Sequence, residues 1–113
     1  MQDWNNYRDS LLQRVGEYAQ LAPDVMKAIG SLEPSIGKMG KLDAKTHELI
    51  ALAVAVTTRC DACIAVHSKK AIELGVRREE IAEAISVAIA LNAGAALTYS
   101  ARVLEAVDSV SQQ

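Results

Sequence analysis

Apolar residues in this chain return every third or fourth position almost from end to end, close to the turn of an α-helix and unlike the alternation of a strand. Tyr7, Leu11, Leu12, Val15 and Tyr18 make the first stripe, and Pro23 limits it because proline cannot continue a helix. Pro23 and Asp24 suit the first turn of a short second helix with Val25, Met26 and Ile29 inward. Residues 31–40 hold Pro34, Gly37 and Gly40, and are expected to be a broken helix and connecting loop. Asp43 caps a third helix. Its run Leu49 to Val56 is apolar on almost every side, so that helix is buried all round or lies between subunits. A fourth helix carries Cys63, His67, Ala71 and Leu74 on one stripe and stops at Gly75. The longest runs from Arg77 to about Val107, opened by Glu79 and Glu80, where a helix amino terminus favours negative charge. Ile81, Ile85, Ala88, Ile89, Asn92, Ala96, Leu97 and Leu104 mark its face. Ala93-Gly94-Ala95-Ala96 at its middle leaves room for another helix to approach closely or for a bend. The residues after Asp108 are expected to fray. The fold class is all-α: one domain over 1–113, with amino-terminal helices in 1–40 and the core motif region in 41–107.

The apolar mass is Ala, Val, Ile and Leu; one Trp, three Tyr and no Phe are the whole aromatic content. A core of such small side chains needs closely approaching helices. Lys and Arg number 12 against 14 Asp and Glu, with no basic block to neutralise a run of phosphates, so nucleic acid is excluded as a partner. The first residues have neither the basic start nor the apolar stretch of a secretory signal, and the longest unbroken apolar run is far below the roughly 18 residues of a bilayer span. The expectation is a soluble cytoplasmic protein without a membrane partner. In a reducing cytosol two cysteines three apart point to catalysis or metal binding rather than a structural staple.

Those cysteines are the only two, in Cys60-Asp61-Ala62-Cys63, with His67 four residues after the second and Glu48 twelve before the first. A helix starting near Cys60 places that thiol at the positive end of the macrodipole, which favours thiolate. His67 is one turn beyond Cys63 on the same face and can exchange a proton with it. If the chain reverses near Arg59, the third and fourth helices form an antiparallel hairpin. The axial offset between Glu48 and His67 is then three residues, about 4.5 Å. A carboxylate there orients the imidazole and accepts its proton, directly or through one water.

The spacing Glu, eleven residues, Cys, two residues, Cys, three residues, His resembles the active-site pattern of the alkylhydroperoxidase D branch of the carboxymuconolactone decarboxylase superfamily. The phrase Leu42-Asp43-Ala44-Lys45-Thr46 through Ala51-Leu52-Ala53-Val54-Ala55, and the stretch from Ala71 through Leu74-Gly75 to Glu79-Glu80-Ile81, are similar to that family too. The resemblance covers roughly Leu42 to Leu104. It implies an alkylhydroperoxidase D-like helical fold in homotrimers or homohexamers, and a thiol-dependent peroxidase or disulfide oxidoreductase of antioxidant defence without a cofactor or metal. Substrates would be a hydroperoxide or a protein or small-molecule disulfide, with a thiol electron donor. By that analogy Cys63 attacks peroxide and becomes a sulfenic acid, Cys60 resolves it to the disulfide, and Glu48 and His67 relay protons. The best-known member has a second His just before the second cysteine, where this chain has Ala62, and Asp61 adds a negative charge that opposes thiolate formation.

Other readings stand beside this one. Helix-terminus physics favours Cys60 as the more acidic thiol, while His67 and the resemblance favour Cys63; the reading adopted is Cys63 for peroxide and Cys60 for exchange with a partner disulfide. Cys60, Cys63 and His67 with His47 or Glu48 have the residue types of a zinc site, but one such knuckle is half of the usual structural pattern. Glu48 is otherwise a surface carboxylate and His47 a solvated residue early in its helix. Asn92 and Tyr99 fit core or interface positions. A carboxymuconolactone decarboxylase-type enzyme of aromatic degradation would not use the cysteine pair, and a helical oligomeric adaptor would not need it.

Overall fold

Helix caps written into the chain set most of the boundaries. Asp3 Oδ1 accepts the Asn6 N–H over 3.1 Å, Asp43 Oδ1 accepts the Thr46 N–H over 2.7 Å, and Glu80 Oε1 accepts the Arg77 N–H over 2.9 Å. Each satisfies a backbone donor that the first turn leaves without a helical partner. The structure, a computed structural model, describes residues 1–112. Among the described residues there are six helices and no strand: α1 (Trp4–Leu21), α2 (Pro23–Gly30), α3 (Leu32–Met39), α4 (Ala44–Thr58), α5 (Asp61–Glu73) and α6 (Arg78–Ser111). The all-α reading holds.

Two boundaries differ from the sequence expectation. The stretch 31–40, expected to be a broken helix and connecting loop, does break at Ser31 but is otherwise the regular helix α3: Pro34 is its third residue, where no helical N–H bond is lost, and Gly40 closes it at φ 63°. The supposed fraying after Asp108 is helix as far as Ser111.

Both turns that flank α5 use the same device. At the end of α4, Arg59 takes a left-handed φ of 53° and the Cys60 N–H returns to Ala55 O over 3.0 Å. At the end of α5, Gly75 sits at φ 81°, its N–H reaches Ile72 O, and the Val76 N–H reaches Ala71 O. These are Schellman closures, in which a left-handed residue lets its own amide and the next one satisfy carbonyls of the last turn while the chain reverses. The second also drives Val76 back onto Ala71, so its hydrogen bonds and its apolar contact reinforce each other.

The core lies at this junction. Leu52 of α4, Ala71 of α5 and Val76 of the following turn form one buried cluster, with Leu49 and Ile81 packed against it. Burying a side chain the size of Leu52 stabilises by about 1.5–3 kcal/mol. Ala55, Ala65 and Ala88 are the other buried positions, and their small volume lets α5 and α6 lie close on α4. The first part of α6 runs alongside α4 in the same direction, since Ile81 packs at the cluster and Asn92 Nδ2 reaches Thr57 Oγ1 over 2.9 Å. α1 lies on α5, α2 folds against α1, and α3 follows α2.

Much of the apolar surface stays uncovered by the chain itself. Val25 and Ile29, read as the buried side of α2, are exposed because no other helix covers them. Ile50 and Val54 leave one side of α4 open and Val56 is exposed on another, so that helix is not buried all round within the chain. α6 remains one helix through Ala93-Gly94-Ala95-Ala96, and a Cβ at Gly94 would meet no atom within 4 Å, so no helix makes the close approach there within the chain. Beyond Asn92 every described residue is exposed, including Leu97, Leu104 and Val110. The radius of gyration is 18.9 Å, against about 13 Å for a compact chain of this length. α6 is also long and apolar enough to cross a membrane by length and composition. An unbroken-run criterion passes over this, because Ser86, Asn92, Thr98, Tyr99 and Ser100 interrupt a stretch that holds no charge from Ala84 to Ala101.

Candidate active site

The reversal at Arg59 places the cysteine pair at the tip of the α4–α5 hairpin. Cys60 is the amino-terminal cap of α5, and its sulfur accepts the Cys63 N–H over 3.1 Å, the place that Ser or Asp usually holds. One helical turn between the residues brings their Cα atoms to 5.3 Å, and Cys60 and Cys63 are joined as a disulfide. Both are half-buried. Arg8 of α1 donates from Nε to Ala65 O over 2.7 Å, which pins α1 to α5 two residues beyond Cys63.

Down the hairpin, the antiparallel register brings Glu48 and His67 into direct contact. His67 Nδ1 donates to Glu48 Oε2 over 2.7 Å, and the two side chains are only 18% and 12% exposed. An ionised carboxylate can only accept, so this bond puts the proton on Nδ1 and leaves Nε2 as the reactive edge of the ring. No water bridge is needed, and Glu48 is not the surface carboxylate of the alternative reading.

Nε2 does not meet a cysteine sulfur. It lies 3.8 Å from Oε1 of Glu33, on α3, and Glu33 Oε2 accepts from Lys70 Nζ over 2.9 Å. The imidazole thus sits between two carboxylates, Glu48 within the hairpin and Glu33 on its solvent side. Hydrogen bonding from the Lys70 ammonium holds the Glu33 carboxyl below its usual range; partial burial opposes this, and the charges of Lys70 and His67 add to it.

His67 and Glu48 line a 540 Å³ cavity between α3 and the start of α4. Ile36 and Met39 of α3, Leu42, and Ile50 and Ala51 of α4 make its apolar walls, and Lys41 and His47 also border it. His47 is therefore a half-buried cavity residue rather than a solvated one. A pocket of this size with apolar walls and a few convergent polar groups is the usual form of a small-molecule site. Among the described residues no three His, Cys, Asp or Glu side chains are placed to hold a metal ion. Asn92 ties α6 to α4 near the hairpin tip, while Tyr99 is exposed and stacks under Arg102.

All four expected site residues thus fall on one hairpin, in two contacting pairs: Cys60 with Cys63, and Glu48 with His67. Glu33, Lys70 and the cavity were not foreseen. Their only sequence signal is that Pro34 is compatible with a helix start, which would have put Glu33 and Ile36 on one face of α3.

The sequence profile of the carboxymuconolactone decarboxylase family matches residues 23–106. An uncharacterized protein of Haemophilus influenzae is 47% identical over 104 residues, 92% of each chain. An uncharacterized protein encoded in the cox locus of Paracoccus denitrificans is 36% identical over 85% of this chain and 86% of its own. The crystal structure of a carboxymuconolactone decarboxylase family protein from Legionella pneumophila, in its apo form, is similar with a TM-score of 0.75 and 33% identity, covering 94% of this chain and 95% of the other. A crystal structure from Methanobacterium thermoautotrophicum is similar with a TM-score of 0.70 and 31% identity, over 76% of this chain and 97% of the other. The all-helical fold and the sequence agree, and the chain belongs to the carboxymuconolactone decarboxylase family.

Proposed function

We propose that this protein is a thiol-dependent oxidoreductase of the alkylhydroperoxidase D type, reducing hydroperoxides or partner disulfides by cycling Cys60 and Cys63 between dithiol and disulfide. The observation that carries the reading is the shared hairpin: a disulfide-forming pair at its tip and, behind it, a buried His67–Glu48 pair 2.7 Å apart. A buried carboxylate paired with an imidazole is costly to keep unless the pair is used.

In the proposed cycle His67 takes the Cys63 proton, and the thiolate attacks the terminal peroxide oxygen. The O–O bond breaks, an alcohol leaves with the proton returned by His67, and Cys63 becomes a sulfenic acid. Cys60 then attacks that sulfur, water leaves, and the disulfide forms. A dithiol donor restores both thiols and is itself oxidised. Nε2 is the nitrogen available for these transfers, because Nδ1 is committed to Glu48. Cys63 is four residues before His67 on the same helix, where i and i+4 side chains are neighbours, and in the proposed cycle the proton crosses that interval through water or a rotation of the side chains.

The exposed apolar faces of α2, α4 and α6 supply the motive for self-association; a homotrimer or homohexamer in the cytoplasm is the form that the family resemblance and the sequence reading propose for it. The deciding experiment is peroxide consumption driven by dithiothreitol in the wild type, Cys63→Ser and Cys60→Ser. Activity that persists in Cys63→Ser overturns the mechanism. A decarboxylase-type reaction on a carboxylated lactone would instead survive replacement of both cysteines.

A further inference from the structure

A thiol enzyme of this kind moves protons as well as electrons, and the His67–Glu48 pair is nearly closed to water. Its imidazole has one edge that Glu48 does not hold, and that edge faces Glu33. The Glu33 side chain is 63% exposed, lies 3.8 Å from Nε2, and is anchored by Lys70 from the helix that carries His67. It also lines the same cavity as His67, so its carboxylate stands beside Nε2 on one side and in solvent on the other. Lys70 keeps that carboxylate ionised, which is the state of a group that receives a proton and releases it rapidly to water.

We infer that Glu33 is the solvent-side terminus of the proton relay, linking the buried His67–Glu48 pair to bulk water. The inference rests on the redox reading proposed above. In the transfer, the Nε2–H bond of the imidazolium breaks as an O–H bond forms on Glu33 Oε1, directly after a small side-chain movement or through one water. The carboxylic acid then loses the proton to solvent and regains its bond to Lys70. No electrons move in this step, and the reverse sequence recharges the imidazole. Glu33 acts through His67 and not on the sulfur atoms, so it is a positioning residue of the relay. Lys41 and His47 border the same cavity but make no hydrogen bond to His67.

The test is steady-state turnover of peroxide with dithiothreitol in wild type, Glu33→Ala, Glu33→Asp and Lys70→Met, with Glu48→Gln as reference, at rising concentrations of formate or imidazole buffer. The expected result is that kcat of Glu33→Ala falls about tenfold in dilute buffer, below the range typical of a direct acid or base. KM should be unchanged, small buffers should restore kcat, and Glu33→Asp should retain most of it. Circular dichroism identical to wild type shows that the fold is kept, as the exposure of Glu33 predicts. A Glu33→Ala rate equal to wild type, or a loss that no buffer restores, overturns the inference while leaving the redox function standing. Absence of turnover in the wild type with every peroxide and disulfide overturns both, because no relay is then in use.

Discussion

Replacing Glu48 by Gln keeps the shape of the side chain and removes its charge, so it isolates what the carboxylate does for His67. The pair is 2.7 Å apart with both side chains more than four-fifths buried, so solvent screening takes little from it. A hydrogen bond to a charged partner in such a setting contributes about 1.5–3 kcal/mol. If that contribution is present when the imidazole holds a transferred proton and mostly lost with Gln, the barrier to proton transfer rises by the same amount. At about 1.4 kcal/mol per decade, kcat should fall roughly 10- to 150-fold. The assay is dithiothreitol-driven peroxide consumption over a range of peroxide concentrations, so that kcat and KM separate, alongside urea unfolding of both proteins. The fall should lie in kcat, because Glu48 holds the base and not the substrate. A Glu48→Gln enzyme within twofold of wild type would refute the assignment of the buried pair to proton transfer.

Three further outcomes follow from other parts of the molecule. Arg59 sits in the left-handed region without being glycine, so Arg59→Gly removes a strain of about 1–2 kcal/mol and adds unfolded-chain entropy that offsets part of it. The net gain is about 0.5–1 kcal/mol, read as a rise of roughly 2–4 °C in Tm, and a fall in Tm would contradict the turn geometry. The carboxyls of Glu33, Asp43 and Glu80 are lowered, chiefly by their hydrogen bonds to Lys70, Thr46 and the Arg77 backbone respectively. Their stabilisation is therefore complete above the ordinary values of 4.5, 3.8 and 4.5, and is lost as pH falls through the lower folded values. The Tm difference between wild type and Asp43→Ala should shrink on acidification through that window, and a difference that grows would reverse the sign. Light scattering at micromolar concentration should give an oligomer that Leu97→Glu or Leu104→Glu dissociates. A monodisperse wild-type monomer, or protein recovered only with lipid, contradicts self-association of the exposed helix faces.

Some of the site was legible because it depends on short spacings. Cys60 and Cys63 are one helical turn apart, and Asp43 and Gly75 are local punctuation, so the hairpin and its disulfide-forming tip follow from the chain itself. The Glu48–His67 contact also follows, because one reversal at Arg59 sets the register of both helices. Glu33 did not follow. It is 34 positions from His67 in sequence, and it reaches the imidazole only because α3 is a helix that lies beside the start of α4. Reading Pro34 as a breaker removed the very element that carries it.

Burial divides in the same way. The helical period identifies which residues are apolar on one side, but covering them requires a neighbour, and period alone does not say whether the neighbour exists. Leu52, Ala71 and Val76 are covered because two Schellman turns fold α5 and the start of α6 onto α4; Val25, Ile29, Leu97 and Leu104 have the same pattern and no such partner in the chain. By itself, then, the sequence determined the helices that carry the cysteine hairpin, its turns and the Glu48–His67 register, all of which rest on interactions within a few residues or across one reversal. The tertiary structure alone decided which edge of His67 stays open, that Glu33 and Lys70 face it, and that a cavity lies between α3 and α4, because each depends on how distant helices pack.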